Sequence, residues 1–239
     1  MSKNKTTIPL QSLQQCTARL LAAALLELYP EALLLSSESH RFGFQYDFLP
    51  ASKQEFSIAD IELRMQAIAK EMRSVTRQEM LRSNAIDYFL HHNQTFKASL
   101  LQEEQSQLVE AFRMGDFLDV FAAPFVRNAK EMRSFQLTDL ALLKQEIDGR
   151  ELSVIRISGI AFSDRALLKQ FLKTKEKAKE CDHRLIGENL QLFSVKENGF
   201  FWFDKGVFIR QQLKELWRQD RKEEECLFIQ TPSSTPSIS

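Results

Sequence analysis

The sequence predicts an α+β fold: a mainly antiparallel sheet with helices beside it and a helical extension at the C-terminal end. Three observations lead there. Apolar residues recur at helical spacing near the N-terminus, alternating segments separated by turn signals fill the middle, and charged segments of helical period close the chain. No internal repeat is present.

Taken in order, residues 10–29 carry Leu13, Leu20, Leu21, Ala24, Leu25 and Leu28 on one helical side, with Pro30 as a stop. "HRFGFQYDFLP" alternates Phe42, Phe44 and Tyr46 with smaller or polar residues and reads as a strand ending at Pro50. Residues 57–73 place Ile58, Ile61, Met65, Ile68 and Met72 on one side of a second helix, and Thr76 with Glu79 resembles a capping box for a third. Strand-like segments follow at 95–101 ("TFKASLL"), 109–121, 132–146 and 152–162, with Asp148-Gly149 as a hairpin turn between the last two. A charged helix is expected over 164–184 and another over 207–221, after "NGFFWFDKG". The tail "IQTPSSTPSIS" has the composition of a disordered segment.

Composition narrows the function classes. Lys plus Arg (32) equals Asp plus Glu (32), so no global field draws the chain to nucleic acid or an anionic membrane, and any such binding must be local. Phe (19) far outnumbers Tyr (3) and Trp (2), which favours packing over surface stacking on bases. Cys16, Cys181 and Cys226 lack the close pairing of a zinc or redox site and read as reduced thiols. No signal-like or membrane-length apolar run occurs, and the expected location is the cytoplasm.

Motifs for chemistry are missing. There is no Gly-rich phosphate loop, no Gly-x-Ser-x-Gly elbow and no His-Glu-x-x-His helix, so neither a cofactor nor a metal is expected. His91 and His92 sit in a polar turn, and Asp60, Glu62 and Glu79 have basic neighbours that explain them as solvated faces.

The ordered blocks "CTARLLAAALLELYP", "FGFQYDF", "TFKASLL", "GDFLDVFAAPFV", "VIRISGIAFSD" and "AKECDHRLIG" carry a resemblance. Together, over residues 15–187, they resemble the editing region of bacterial threonyl-tRNA synthetase, the second additional domain shared with alanyl-tRNA synthetase. A weaker likeness extends through "FFWFDKGVFIRQQLKEL" toward "FIQTPSS". The resemblance implies the editing-domain fold and, in the family, hydrolysis of serine wrongly attached to threonine tRNA by a water held and deprotonated beside the ester.

That chemistry uses a His-x-x-x-His pair on the first helix and a Cys-x-x-x-His pair after a strand. Aligned on Leu28-Tyr29-Pro30, the first pair falls on Gln15 and Arg19, a further family histidine on Ala23, and the second pair on Phe121 and Phe125. Gln is no general base near neutral pH, Arg only donates, and Phe and Ala bring no ionisable group. Neither a zinc site nor a histidine-activated water can be built from this set. Lys97 and Asp119 match retained charged positions of the family's pocket, for which substrate binding and a structural ion pair both remain open. Arg19 offers Asp119 a bidentate partner within salt-bridge reach.

The expected organisation is a disordered segment over 1–9, an editing-like unit over 10–187, a linker with the vestige of a class II synthetase core over 188–228, and a disordered tail over 229–239. The later core motifs have no room, so aminoacylation by this chain alone is not expected. Arg165, Lys169, Lys173, Lys177 and Arg184 form a basic stripe that fits weak tRNA binding or a solvated face. Two functions stand: a non-catalytic module that binds tRNA or a protein, or is a gene remnant, and a trans-editing deacylase working through Lys97, Asp119 and a substrate hydroxyl.

Overall fold

Helix α1 (Leu10–Leu28) is buried on nearly every side, from Leu13 through Leu25 with only Gln15 partly open. A helix apolar all round has to lie inside the molecule, and the Leu and Ala run of α1 makes it the centre of the main core. It ends where the Tyr29 N–H donates to the Leu25 carbonyl and Pro30 prevents continuation.

The computed structural model describes residues 8–41, 43–51, 55–120, 126–147, 149–196 and 199–223. The chain divides into two compact units, residues 1–172 and 173–239.

In the first unit, β1 (Leu33–His40), β2 (Gly43–Leu49), β7 (Arg150–Ala161) and β6 (Phe135–Ile147) form an antiparallel sheet in the order β1-β2-β7-β6. Phe44, Tyr46 and Phe48 alternate along β2 and are all fully buried, and Phe44 pairs with Gly159 across to β7. Strands β6 and β7 pair as far as Ile147 and Arg150; Gly149 before Arg150 has φ +71°, a conformation a side chain disfavours, while Asp148 lies outside the described residues. Helix α2 (Ile58–Lys70) packs Ile61, Met65 and Ile68 against α1 and is capped by Ser57, whose Oγ accepts from the Asp60 N–H at 3.2 Å.

A second antiparallel sheet, β3-β4-β5, comprises β3 (Val75–Leu81), β4 (Leu108–Met114) and β5 (Phe117–Val120). Helices α3 (Arg82–His91) and α4 (Thr95–Glu103) lie against it and share a smaller core of Ala85, Phe89, Ala98, Leu101, Val109, Ala111 and Leu118. A 3₁₀ turn over Ala129–Met132 leads into β6.

Three expectations are corrected here. Thr76 and Glu79 lie in β3, not at a helix start: the segment pairs residue by residue with β4, and the third helix, α3, begins only after the strand, at Arg82. Residues 95–101 are helical; Lys97, Ala98 and Leu101 are the buried face of α4, a spacing that a seven-residue apolar run does not separate from a strand. The helix expected over 164–184 is two: α5 (Arg165–Glu180) and α6 (His183–Asn189), the second capped by Asp182, whose carboxylate accepts from the Arg184 N–H at 2.9 Å.

The second unit contains the end of α5, α6, the hairpin β8 (Phe193–Lys196) and β9 (Gly199–Trp202), and α7 (Asp204–Glu223). Its small aromatic centre is Phe193, with ring centroids 5.5 Å from Phe200 and 5.2 Å from Trp202. Gly187 is required beside it, because a Cβ there would stand 2.3 Å from the Phe193 ring. The expectations placed on Phe42, Phe121, Phe125, Cys226, "FIQTPSS" and the C-terminal tail fall outside the described residues, as does most of the N-terminal segment 1–9.

Candidate functional site

Four side chains from four elements meet under the core: Arg19 of α1, Tyr46 of β2, Lys97 of α4 and Asp119 of β5. Each arrives there for a local reason. Arg19 is on the part of α1 that is buried on nearly every side, Tyr46 holds an inward position in a row of Phe, Lys97 shares the buried face of α4 with Leu101, and Asp119 is the penultimate residue of β5. All four are nearly or wholly inaccessible to solvent.

Asp119 is the hub. Lys97 Nζ donates to its Oδ1 at 2.9 Å and the Tyr46 hydroxyl donates to its Oδ2 at 3.0 Å. Arg19 Nε stands 3.5 Å from Oδ2, a charge contact without hydrogen-bond alignment, while its Nη1 donates to the Gln15 carbonyl at 3.0 Å. The guanidinium therefore lies within the expected reach, but its fork is turned along α1 and the bidentate pair with Asp119 is not formed. Lys97 Nζ also lies 5.5 Å from the centroid of the Tyr46 ring.

Protonation states follow from these contacts. Burial pushes the Asp119 carboxyl upward, but the Lys97 and Arg19 charges and the bonds from Lys97 and Tyr46 outweigh it and hold the group below the ordinary carboxylate value. Burial lowers the Lys97 ammonium, but the Asp119 carboxylate outweighs this and raises it above the ordinary lysine value. Burial, with the Asp119 charge added, raises the Tyr46 phenol so that it stays a neutral donor. Near neutral pH the cluster holds two cations, one carboxylate and one hydroxyl. Its one anionic acceptor is already engaged by donors on both oxygens, so none of the four is poised to take a proton from water.

The other residues singled out in the sequence are dispersed. Gln15 contributes its backbone carbonyl to Arg19, and Ala23, one turn farther along α1, lines a separate cavity of about 520 Å³ with Tyr88, His92, Gly115 and Phe117. Phe121 and Phe125 are outside the described residues. Arg165 and Lys169 line a cavity of about 740 Å³ in the first unit, whereas Lys173, Lys177 and Arg184 belong to the second. Among the described residues no group of three or more His, Cys, Asp or Glu is arranged to hold a metal ion, and no helix is long and apolar enough to cross a membrane.

Tyr46 is the member of the cluster that sequence reading passed over. A signal existed: a tyrosine at an inward position between two phenylalanines must find a partner for its hydroxyl. What no pattern supplies is the partner, which is 73 residues away in the chain.

No family model matches the chain. Among known proteins it is similar to the threonine–tRNA ligase of Clostridium botulinum (strain Loch Maree / Type A3), 32% identical over 230 residues that make up 92% of this chain and 36% of that protein. The threonine–tRNA ligase of Desulfovibrio desulfuricans is 31% identical over 230 residues, 93% of this chain and 35% of the relative. That of Dehalococcoides mccartyi (strain BAV1) is 30% identical over 237 residues, 97% and 40%. The chain thus spans little more than a third of the length of the curated relatives it matches. Over almost all of its own length, it is a relative of one segment of the threonine–tRNA ligases.

Proposed function

We propose that this chain is a non-catalytic relative of the editing region of threonyl-tRNA synthetase, the second additional domain, acting in the cytoplasm as a binding module for tRNA or for a protein partner. The observation that carries the reading is the closed Arg19–Tyr46–Lys97–Asp119 cluster. Two charges retained from the family's pocket are consumed by each other and by Tyr46, and the positions aligned with the family's imidazoles hold Gln15, Arg19 and Ala23. Ester hydrolysis needs a group that activates water beside the carbonyl, and a carboxylate that accepts from Lys97 and Tyr46 with the Arg19 charge beside it is a poor one.

A second reading is favoured by the same two retained residues: a trans-editing hydrolase that uses Lys97 and Asp119 with a hydroxyl of the substrate. Deacylation of serine-charged threonine tRNA separates the two. The expected result is no release of serine above the uncatalysed rate. Turnover that disappears in Lys97→Ala and Asp119→Ala, with the tRNA still bound, would replace the binding module by the enzyme.

A further inference from the structure

The cavity of about 740 Å³ in the first unit is lined by Lys70 at the end of α2, Lys130 and Arg133 at the 3₁₀ turn, and Arg165 and Lys169 on α5. Three of these five cations come from elements that the basic stripe on α5 does not include. All five are exposed, and among the described residues none of them pairs with a carboxylate. Glu62 is the one acid in the lining, and its Oε2 is already used, accepting from the Leu137 N–H at 2.9 Å.

In a chain with as many acids as bases, this is a local excess of one sign. Like charges gathered around a concave surface repel one another. A cleft whose floor is apolar, here Ala69, Phe135 and Leu168, concentrates their field instead of letting water dissipate it. The arrangement is matched by a ligand that carries several negative charges at fixed spacing above an apolar face.

We infer that this cleft binds phosphate esters, with an RNA strand as their source: Lys70, Lys130, Arg133, Arg165 and Lys169 engage backbone phosphates while a nucleoside lies toward Phe135 and Leu168. The choice of RNA rests on the tRNA-binding part of the reading above; the cleft itself does not depend on the Asp119 cluster. Lys130, Arg133, Arg165 and Lys169 are solvent-exposed side chains, so reversing their charge leaves the core untouched.

The test is fluorescence anisotropy of a labelled single-stranded RNA with the full chain across a salt series, comparing wild type, K130E/R133E, R165E/K169E and the stripe variant K173E/K177E, each checked by circular dichroism. The expected result is saturable binding that either cleft pair weakens at least about tenfold, with the slope of log Kd against log salt reduced by about 0.7 for each lost contact. Competition by adenosine monophosphate at concentrations where it binds alone would keep the phosphate-ester cleft and make a free nucleotide its source. Binding that survives in both cleft pairs but is lost in K173E/K177E would overturn the cleft and leave the tRNA-binding reading standing. Absence of any binding of RNA or nucleotide to wild type would overturn the cleft as well.

Discussion

Asp119 illustrates why a buried charge is kept only in company. Its carboxylate has left water entirely, and what offsets that loss is Lys97, Tyr46 and the nearby Arg19. Removing the acid strands two cations in the interior, so Asp119→Ala is expected to destabilise the first unit by about 3–5 kcal/mol in urea denaturation. Tyr46→Phe removes one hydrogen bond to a charged group and is expected to cost about 1.5–3 kcal/mol. The pH profile has a defined sign. Because the Asp119 carboxyl is lowered in the folded state, its contribution is present above its ordinary value of 3.8 and is lost as pH falls through the lowered one. Lys97 is raised, so its contribution is full below 10.5 and is lost as pH rises through the raised value. Stability measured from acid to alkaline pH should form a plateau between those limits. Asp119→Asn should flatten the acid side; an unchanged acid slope would remove Asp119 from the account.

At the scale of elements, close approach decides what the sheet accepts. A Cβ on Gly43 would stand 2.3 Å from the Gly159 carbonyl oxygen, a backbone atom fixed by the β2–β7 ladder that also aligns Asp47 with Arg156. Arg156 donates to both oxygens of Asp47 at 2.7 Å, so the two strands cannot slide to relieve the contact without breaking that pair. Gly43→Ala is therefore expected to cost about 1–3 kcal/mol, as an overpacked core position does, read as a lower thermal midpoint. Ser57→Ala should cost about 1 kcal/mol through loss of the α2 cap. At this scale much of the architecture was legible: the period of α1, the inward row of β2 and the Asp148-Gly149 turn each have a strong local signal. The misreadings, β3 as a helix start and α4 as a strand, are short segments whose own pattern fits either state, and pairing with β4 or packing of Lys97 and Leu101 made the choice.

For the molecule as a whole, the two units differ in how much they bury. The first has the extended cores around α1 and between α3, α4 and β4. Among the described residues of the second, Phe193 is the only buried large apolar side chain, while Phe201, Phe208, Leu213, Leu216 and Trp217 are each more than half exposed. Both tryptophans, Trp202 and Trp217, belong to the second unit, so tryptophan fluorescence reports on it alone while far-ultraviolet circular dichroism reports on both. Urea unfolding is expected to show a fluorescence transition at lower denaturant than the main dichroism transition. Coincident curves would mean that the chain unfolds as one cooperative unit.

Sequence alone determined the α+β class, the central helix, the charge balance and the kinship with a segment of threonine–tRNA ligase, because these rest on local periodicity, composition and ordered blocks. It also singled out Arg19, Lys97 and Asp119 as charged residues and placed Arg19 within reach of Asp119. Tertiary structure decided what those residues are to one another. Only the packing of α1, β2, α4 and β5 brings a tyrosine 73 residues distant onto Asp119, and turns the Arg19 fork toward Gln15. Only the fold gathers Lys70, Lys130 and Arg133 beside Arg165 and Lys169. Charge interactions act through space at a few ångströms, and no spacing along the chain encodes which distant side chains will share that space.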